Sequence, residues 1–211
     1  DLIVIYNEIF LGLVRERAQI PRSTLRRVTL CHMLRQAVVA SCTALETYLL
    51  AVLHANMPVM IRARGRDFVP RNDPVVKNFF SSQTFSLDDM LRLLDDVPHG
   101  PAFIADKIVG FMQFKYLTKA KGVHVTGALL GIADPWSQIA RHLNRDEQEL
   151  RRTLNSTVNR RNDIVHRADR CQDDPGGDAQ PITFAWTQQA ADEKERLTIE
   201  LDVLVTARVA E

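Results

Sequence analysis

One short stretch of the 211-residue chain concentrates side chains that could do chemistry: Asn159, Arg160, Arg161, Asn162, Asp163, Ile164, Val165, His166 and Arg167. Cutting RNA without a metal makes three demands. The 2′-hydroxyl must lose its proton, the departing 5′-oxygen must gain one, and the charge that builds on the phosphorane must be held. Histidine suits both proton transfers near neutral pH, and arginine offers phosphate oxygens a fixed fork of donors. With roughly 100° of rotation per residue in a helix, Asn162 and His166 lie about 40° apart and share a face one turn apart. Arg161 stands about 140° round from His166, so its long side chain has to reach back to meet the imidazole. Asn162 could hydrogen-bond the imidazole or the phosphate and fix the geometry.

Spacing alone leaves a second reading open, a solvated basic helix face, since Arg27 stands in the same relation to His32. The setting separates the two copies. Asn162 directly follows the later arginine, Ile164 and Val165 offer an apolar side to hold the helix, and Arg160, Arg167 and Arg170 add positive charge. This pattern, Arg-Asn-x-x-x-His on a late helix of an all-α chain, resembles the HEPN superfamily (higher eukaryotes and prokaryotes nucleotide-binding). The earlier segment Ala44-Leu45-Glu46-Thr47-Tyr48-Leu49 also resembles a core helix of those families. At the level of helix order the resemblance covers most of residues 22–210, while its specific part is the motif helix.

The resemblance implies an all-α, HEPN-like bundle: a four-helix up-and-down core with extra short helices and long loops. It implies a metal-independent endoribonuclease, without cofactor, that leaves a 2′,3′-cyclic phosphate and a 5′-hydroxyl. One histidine does not easily serve both sides of the scissile bond. The resemblance accordingly implies a homodimer whose two motif helices face each other and pool both copies of Arg161 and His166. In that reading Arg161, His166 and Asn162 are catalytic, Glu46 and Arg160 support them, and Arg167 and Arg170 bind RNA. By the same resemblance the target is tRNA or mRNA, the role is that of a toxin or effector in anti-phage defence, and an antitoxin or sensor is a partner. Toxins whose motif continues His-x-Tyr would need Tyr at position 168, where this chain has Ala168. Two alternatives stay open: a non-catalytic HEPN-like module binding RNA, a nucleotide or a protein partner, and a helical interaction domain whose motif is coincidental.

Glu46 is the one charge in residues 36–53. A charge on a buried helix needs a partner, and the expectation is that Glu46 approaches Arg161 or Arg160 and orients the site; the other reading is an exposed or purely structural acid. His54, His99, His124 and His142 are dispersed without ligand spacing, so no metal site is expected. There is no Gly-x-Ser-x-Gly, and no cysteine lies in a catalytic signature.

The composition, 45% apolar and 25% charged, is that of an ordinary soluble protein, long enough for one domain with a substantial core. A single helical domain over 1–211 is expected. Asp1 falls inside a helical pattern without a preceding Met, as in a piece of a longer protein whose missing part could carry a sensor. Cys31 and Cys42 lie about 16 Å apart along one helix and cannot bond to each other. Together with Cys171 they suit a reducing cytoplasm. The net charge of +1 hides an asymmetry: residues 171–211 hold nine acids against three bases, a balance of −6 that leaves +7 on residues 1–170. A basic patch, rather than a wholly basic protein, would meet nucleic acid. Residues 36–53 could pass for a membrane span, but Gln36, Ser41, Thr43 and Thr47 are scattered through them, and the central helix of a bundle is the preferred reading, with no membrane partner.

The elements that must position the motif follow from periodicity. Leu2, Ile5, Ile9 and Leu13 predict an amphipathic first helix that Pro21 ends, and Ser23 caps a second helix to about Asn56. Residues 57–87, with Pro58, Gly65, Pro70 and Pro74, predict a long irregular connection carrying Arg62, Arg64, Arg66 and Arg71, with one short helix from Pro74. Ser86 and Asp89 form a capping box that opens a helix to about Val97, and Pro101 starts another that ends near Lys119. Residues 120–134 are expected as a connection packed on the bundle, and Pro135 to Leu143 as a short helix facing Trp136 and Ile139 inward. Asn144 and Glu147 cap the motif helix, expected over 145–170 with Leu150, Leu154, Val158, Ile164 and Val165 on its buried side. After a polar loop at 171–178, a last helix over about 187–209 buries Leu197, Leu201, Leu204 and Val205.

Overall fold

A computed structural model describes residues 24–70, 72–81, 83–113, 117–171, 173–174 and 176–209. These residues are all-α, with no strand beyond an isolated bridge between Cys171 and Asp174. The helices are α1 (Thr24–Arg64), α2 (Pro74–Phe80), α3 (Leu87–Asp95), α4 (Gly100–Gln113), α5 (Ala120–Leu129), α6 (Pro135–Leu143), α7 (Glu147–Arg167) and α8 (Phe184–Val209), with 3-10 turns at Gly65–Asp67 and Val97–His99. The expected first helix over 1–19 and the Ser23 cap lie outside the described residues. The chain divides into two compact units, Asp1–Glu46 with Gln148–Ile199, and Thr47–Glu147 with Glu200–Glu211.

The first unit holds the motif. From α1 it buries Leu34, Ala37, Val38, Cys42 and Leu45, from α7 Leu154, Thr157 and Val158, and from α8 Ala190, Ala191, Lys194 and Leu197. These sets recur at three- and four-residue steps, the stripe by which an amphipathic helix joins a core. Val165 departs from expectation. It is exposed, as are His166, Arg167 and Ala168, so the end of α7 meets solvent on all but the side of Ile164, which is half-buried. The helix ends at Arg167 rather than near Arg170 because Ala168 and Asp169 take left-handed φ values of 52° and 65°. A non-glycine residue pays for such a conformation on the order of 1 kcal/mol. Here the Asp169 N–H closes on the Asp163 carbonyl at 2.8 Å.

In the second unit α1 continues to Arg64, eight residues past its expected end, with Pro58 inside it. Proline removes one helical hydrogen bond and crowds the turn before it, at about 3 kcal/mol. Against that stand Met57, Met60 and Ile61, all buried, each worth about 1.5–3 kcal/mol. Burial wins, and the predicted connection shrinks accordingly. Asp73 then caps α2 by accepting from the Val75 and Val76 N–H groups at 2.8 and 3.0 Å.

The expected connection over 120–134 is mostly helix α5. Nearly all of its residues are buried, and a buried backbone has to satisfy its own N–H and C=O groups, which a helix does internally. Gly127 allows the close approach to α6: a Cβ there would stand 2.5 Å from Pro135 Cγ. Helix α6 has its expected bounds, with Trp136 and Ile139 buried and Trp136 Nε1 donating to the Ala120 carbonyl at 2.8 Å. Asn144, expected to cap α7, instead ends α6 in a left-handed conformation at φ 50°. In α8, which starts three residues earlier than expected, the second unit buries Leu201, Leu204 and Val205.

The window Val28–Arg64 is long and apolar enough to cross a membrane by length and composition, and 44% of its most apolar part is buried inside the protein. A core helix passes the same test.

Candidate active site

Every residue singled out for the site belongs to the first unit. Glu46 lies on α1 and is half-buried; Arg161 lies on α7. Their side chains meet, with Arg161 Nη2 3.5 Å from Glu46 Oε2. Of the two arginines expected near Glu46, Arg161 is the one that comes. Its Nη1 donates to Asn162 Oδ1 at 3.1 Å, while its Nε is buried without an acceptor. An unfilled buried donor costs about 1–3 kcal/mol. Arg161 is thus held at one end by a carboxylate and an amide and left with spare donor capacity.

Arg160 turns the other way. Its Nε and Nη2 bind the two carboxylate oxygens of Asp169, and Nη2 also donates to the carbonyls of Gln180 and Pro181 at 3.2 and 3.0 Å. Its guanidinium lies over the Trp186 ring, 5.4 Å from the centroid. Arg35 completes the group, donating from Nε to Asp169 Oδ2 at 2.6 Å and from Nη2 to the Gln180 carbonyl at 2.9 Å. Asp169 itself is 0% exposed. Two arginines therefore share one buried carboxylate, and Gln180 N–H returns to the Asp169 carbonyl at 2.8 Å. The cluster ties the chain after α7 to α1 and to the start of α8.

His166 is exposed and, among the described residues, makes no hydrogen bond or ion pair. No hydrogen bond links it to Arg161 or Asn162 within the chain. Of the residues expected to bind RNA, Arg167 pairs with Asp163 one turn back at 2.7 Å, and Arg170 donates to the Gly177 carbonyl at 2.9 Å. Both remain exposed.

Next to Arg161 and Glu46 the core carries a second unusual pair. Cys42 and Lys194 are both buried, and the Lys194 ammonium has the Ala190 carbonyl as its acceptor at 2.6 Å. Burial pushes the Cys42 thiol up, against the pull of Lys194 and Arg161, and pushes the Lys194 ammonium down. Sequence reasoning missed Lys194, Arg35 and Asp169. The first had a signal: Lys194 stands in the stripe of Ala190, Leu197 and Leu201 on α8. The other two had none, because their meeting depends on a left-handed turn and a loop that no periodicity encodes. Among the described residues no three His, Cys, Asp or Glu side chains gather to hold a metal.

The fold and site define an all-α protein with an exposed basic helix end beside a buried ion-pair cluster. No family model, curated protein or solved structure matches the chain.

Proposed function

We propose that the chain is a metal-independent endoribonuclease whose site forms in a homodimer from two copies of the α7 end. One observation carries the reading. On the last two turns of α7 an arginine held by Glu46 keeps an unfilled donor, and a histidine that has no partner among the described residues stands exposed beside the exposed Val165 and Arg167. The Arg-Asn-x-x-x-His resemblance supports the same assignment.

In the proposed reaction one His166 takes the 2′-hydroxyl proton as that oxygen attacks the adjacent phosphorus. The P–O5′ bond breaks, and the second copy's His166 gives its proton to the leaving 5′-oxygen. Arg161 binds the non-bridging oxygens as charge builds on them, Asn162 and Glu46 fix its direction, and Arg167 and Arg170 meet flanking phosphates. Arg160 supports the site through the backbone that follows α7. The expected setting is cytoplasmic, with tRNA or mRNA as substrate and an antitoxin or sensor as partner, in anti-phage defence or a toxin system.

A second reading, a non-catalytic module that binds RNA, a nucleotide or a protein, is favoured by the lack of any hydrogen bond between His166 and Arg161 or Asn162 within one chain. Total RNA incubated with the protein in excess EDTA, beside a His166→Ala variant, separates the two. Cleavage by the parent alone with cyclic phosphate ends supports the nuclease. RNA binding without cleavage supports the module.

A further inference from the structure

In the second unit, α3 turns its apolar side outward. Leu87, Met90, Leu91 and Leu94 hold the spacing that places side chains on one helix face, and they are 73%, 51%, 51% and 73% exposed. Phe85 before the helix and Val97 after it extend the stripe. Six of the eleven large apolar side chains exposed among the described residues fall within residues 85–97, so the exposure is a patch and not the usual scatter.

The helix is fixed in this attitude by its polar side. Asp89 is buried, receives Lys107 Nζ at 2.7 Å and the Ser86 N–H at 3.0 Å, and closes the capping box that starts α3. Leu93 lies against Gly100, its Cδ2 3.5 Å from where a Cβ would stand, and Phe85 sets its ring edge-on to Phe111 at 6.3 Å. An amphipathic helix ordinarily buries its leucines and exposes its acids. Here the acid is the anchor and the leucines are free.

Charge selects the occupant. Asp88 and Asp95 stand roughly 80–100° round from Leu87, on one flank of the stripe. On that flank Asp88 pairs with Arg92 at 3.1 Å and Asp95 is exposed, while Asp89 and Asp96 lie on the far side of the helix, taken up by Lys107 and His99 at 2.7 Å each. In an antiparallel pair of two copies this flank would face itself and oppose Asp88 to Asp95, a like-charge contact that destabilises. An anionic lipid surface would be repelled as well. We propose that the outward face of α3 docks an amphipathic helix of another protein, one whose apolar stripe is bordered by lysine or arginine. This is helix-on-helix recognition with leucine anchors and an acidic rim. It does not depend on the α7 site.

The test uses the full chain and a fluorescent helical peptide of leucine and lysine at amphipathic spacing, read by anisotropy at physiological salt, with a peptide carrying glutamate for lysine as control. The lysine peptide binds with a dissociation constant in the micromolar range. Affinity falls about tenfold or more for the glutamate peptide and for a Leu91→Glu/Leu94→Glu variant, and about threefold for Asp88→Asn/Asp95→Asn. Circular dichroism melts confirm that the variants fold, as expected for exposed positions. The proposal is overturned if the lysine peptide does not bind, if both peptides bind equally, or if the leucine variant binds as the parent does. It is equally overturned if that variant abolishes self-association in sedimentation, which would make a second copy the occupant, or abolishes binding to phosphatidylcholine vesicles, which would make it a membrane.

Discussion

Arg160 and Asp169, nine residues apart, are joined at two points, with Nε on Oδ1 and Nη2 on Oδ2 of a carboxylate that solvent does not reach. The pair is shared with Arg35 from α1, and it holds Asp169 in the left-handed conformation that stops α7. Removing the carboxylate would leave two part-buried guanidinium groups without their counter-ion. Asp169→Ala should therefore destabilise the fold by about 3–5 kcal/mol, read as a shift in the urea midpoint. A loss below about 1 kcal/mol would mean that water replaces the carboxylate and the cluster is not a structural tie.

His166→Ala should leave stability within about 0.5 kcal/mol of the parent, since an exposed side chain without partners among the described residues is being shortened. The same change should abolish RNA cleavage. A variant that still cuts at the parent's rate removes His166 from the proposed chemistry.

Glu46→Gln keeps the shape of the side chain and removes the charge that faces Arg161 at 3.5 Å. If that carboxylate orients the arginine, cleavage should fall about tenfold, with a smaller change in stability because both side chains are partly solvated. Unchanged activity together with unchanged stability would end the positioning role.

Lys194→Met should raise stability by about 1–2 kcal/mol, because a buried ammonium is replaced by an apolar side chain of similar length. The parent's own pH dependence follows from the same burial. The folded ammonium gives up its proton at lower pH than an unfolded lysine at about 10.4, so between those values the unfolded chain binds more protons. Stability contributed by this group rises with pH across that window and levels off above it. Melting curves collected toward alkaline pH should show the rise in the parent and lose it in the variant; parallel curves would contradict it.

At the acid end Asp89 acts in the opposite sense. The Lys107 ammonium and the Ser86 N–H hold its carboxyl down to about 2, against about 3.9 in an unfolded chain. Its contribution is complete above the unfolded value and disappears as pH falls toward 2. Melts of the parent between pH 5 and 2 should fall more steeply than those of Asp89→Asn, and equal slopes would show that the anchor of α3 is not this ion pair.

Local rules carried much of the fold. The Ser86/Asp89 capping box, the span of α6 and the buried stripe of α8 each depend on neighbours within one or two turns, and all were legible in the sequence. So was the placing of residues 159–167 on one helix, because their types and spacing are properties of a single helix. Elsewhere tertiary packing decided. Met57, Met60 and Ile61 carried α1 through Pro58, burial closed residues 120–129 into a helix, and Asn144 ended one helix instead of starting the next. The site divided in the same way. That Arg161 and His166 share a helix end is written in their numbering, whereas the turn of Arg161 to Glu46 and of Arg160 to Asp169 depends on which side chains α1 and the loop after α7 bring within reach. A periodicity reports which side of a helix is buried, but an ion pair depends on what lies opposite, and that is known only once the chain has closed on itself.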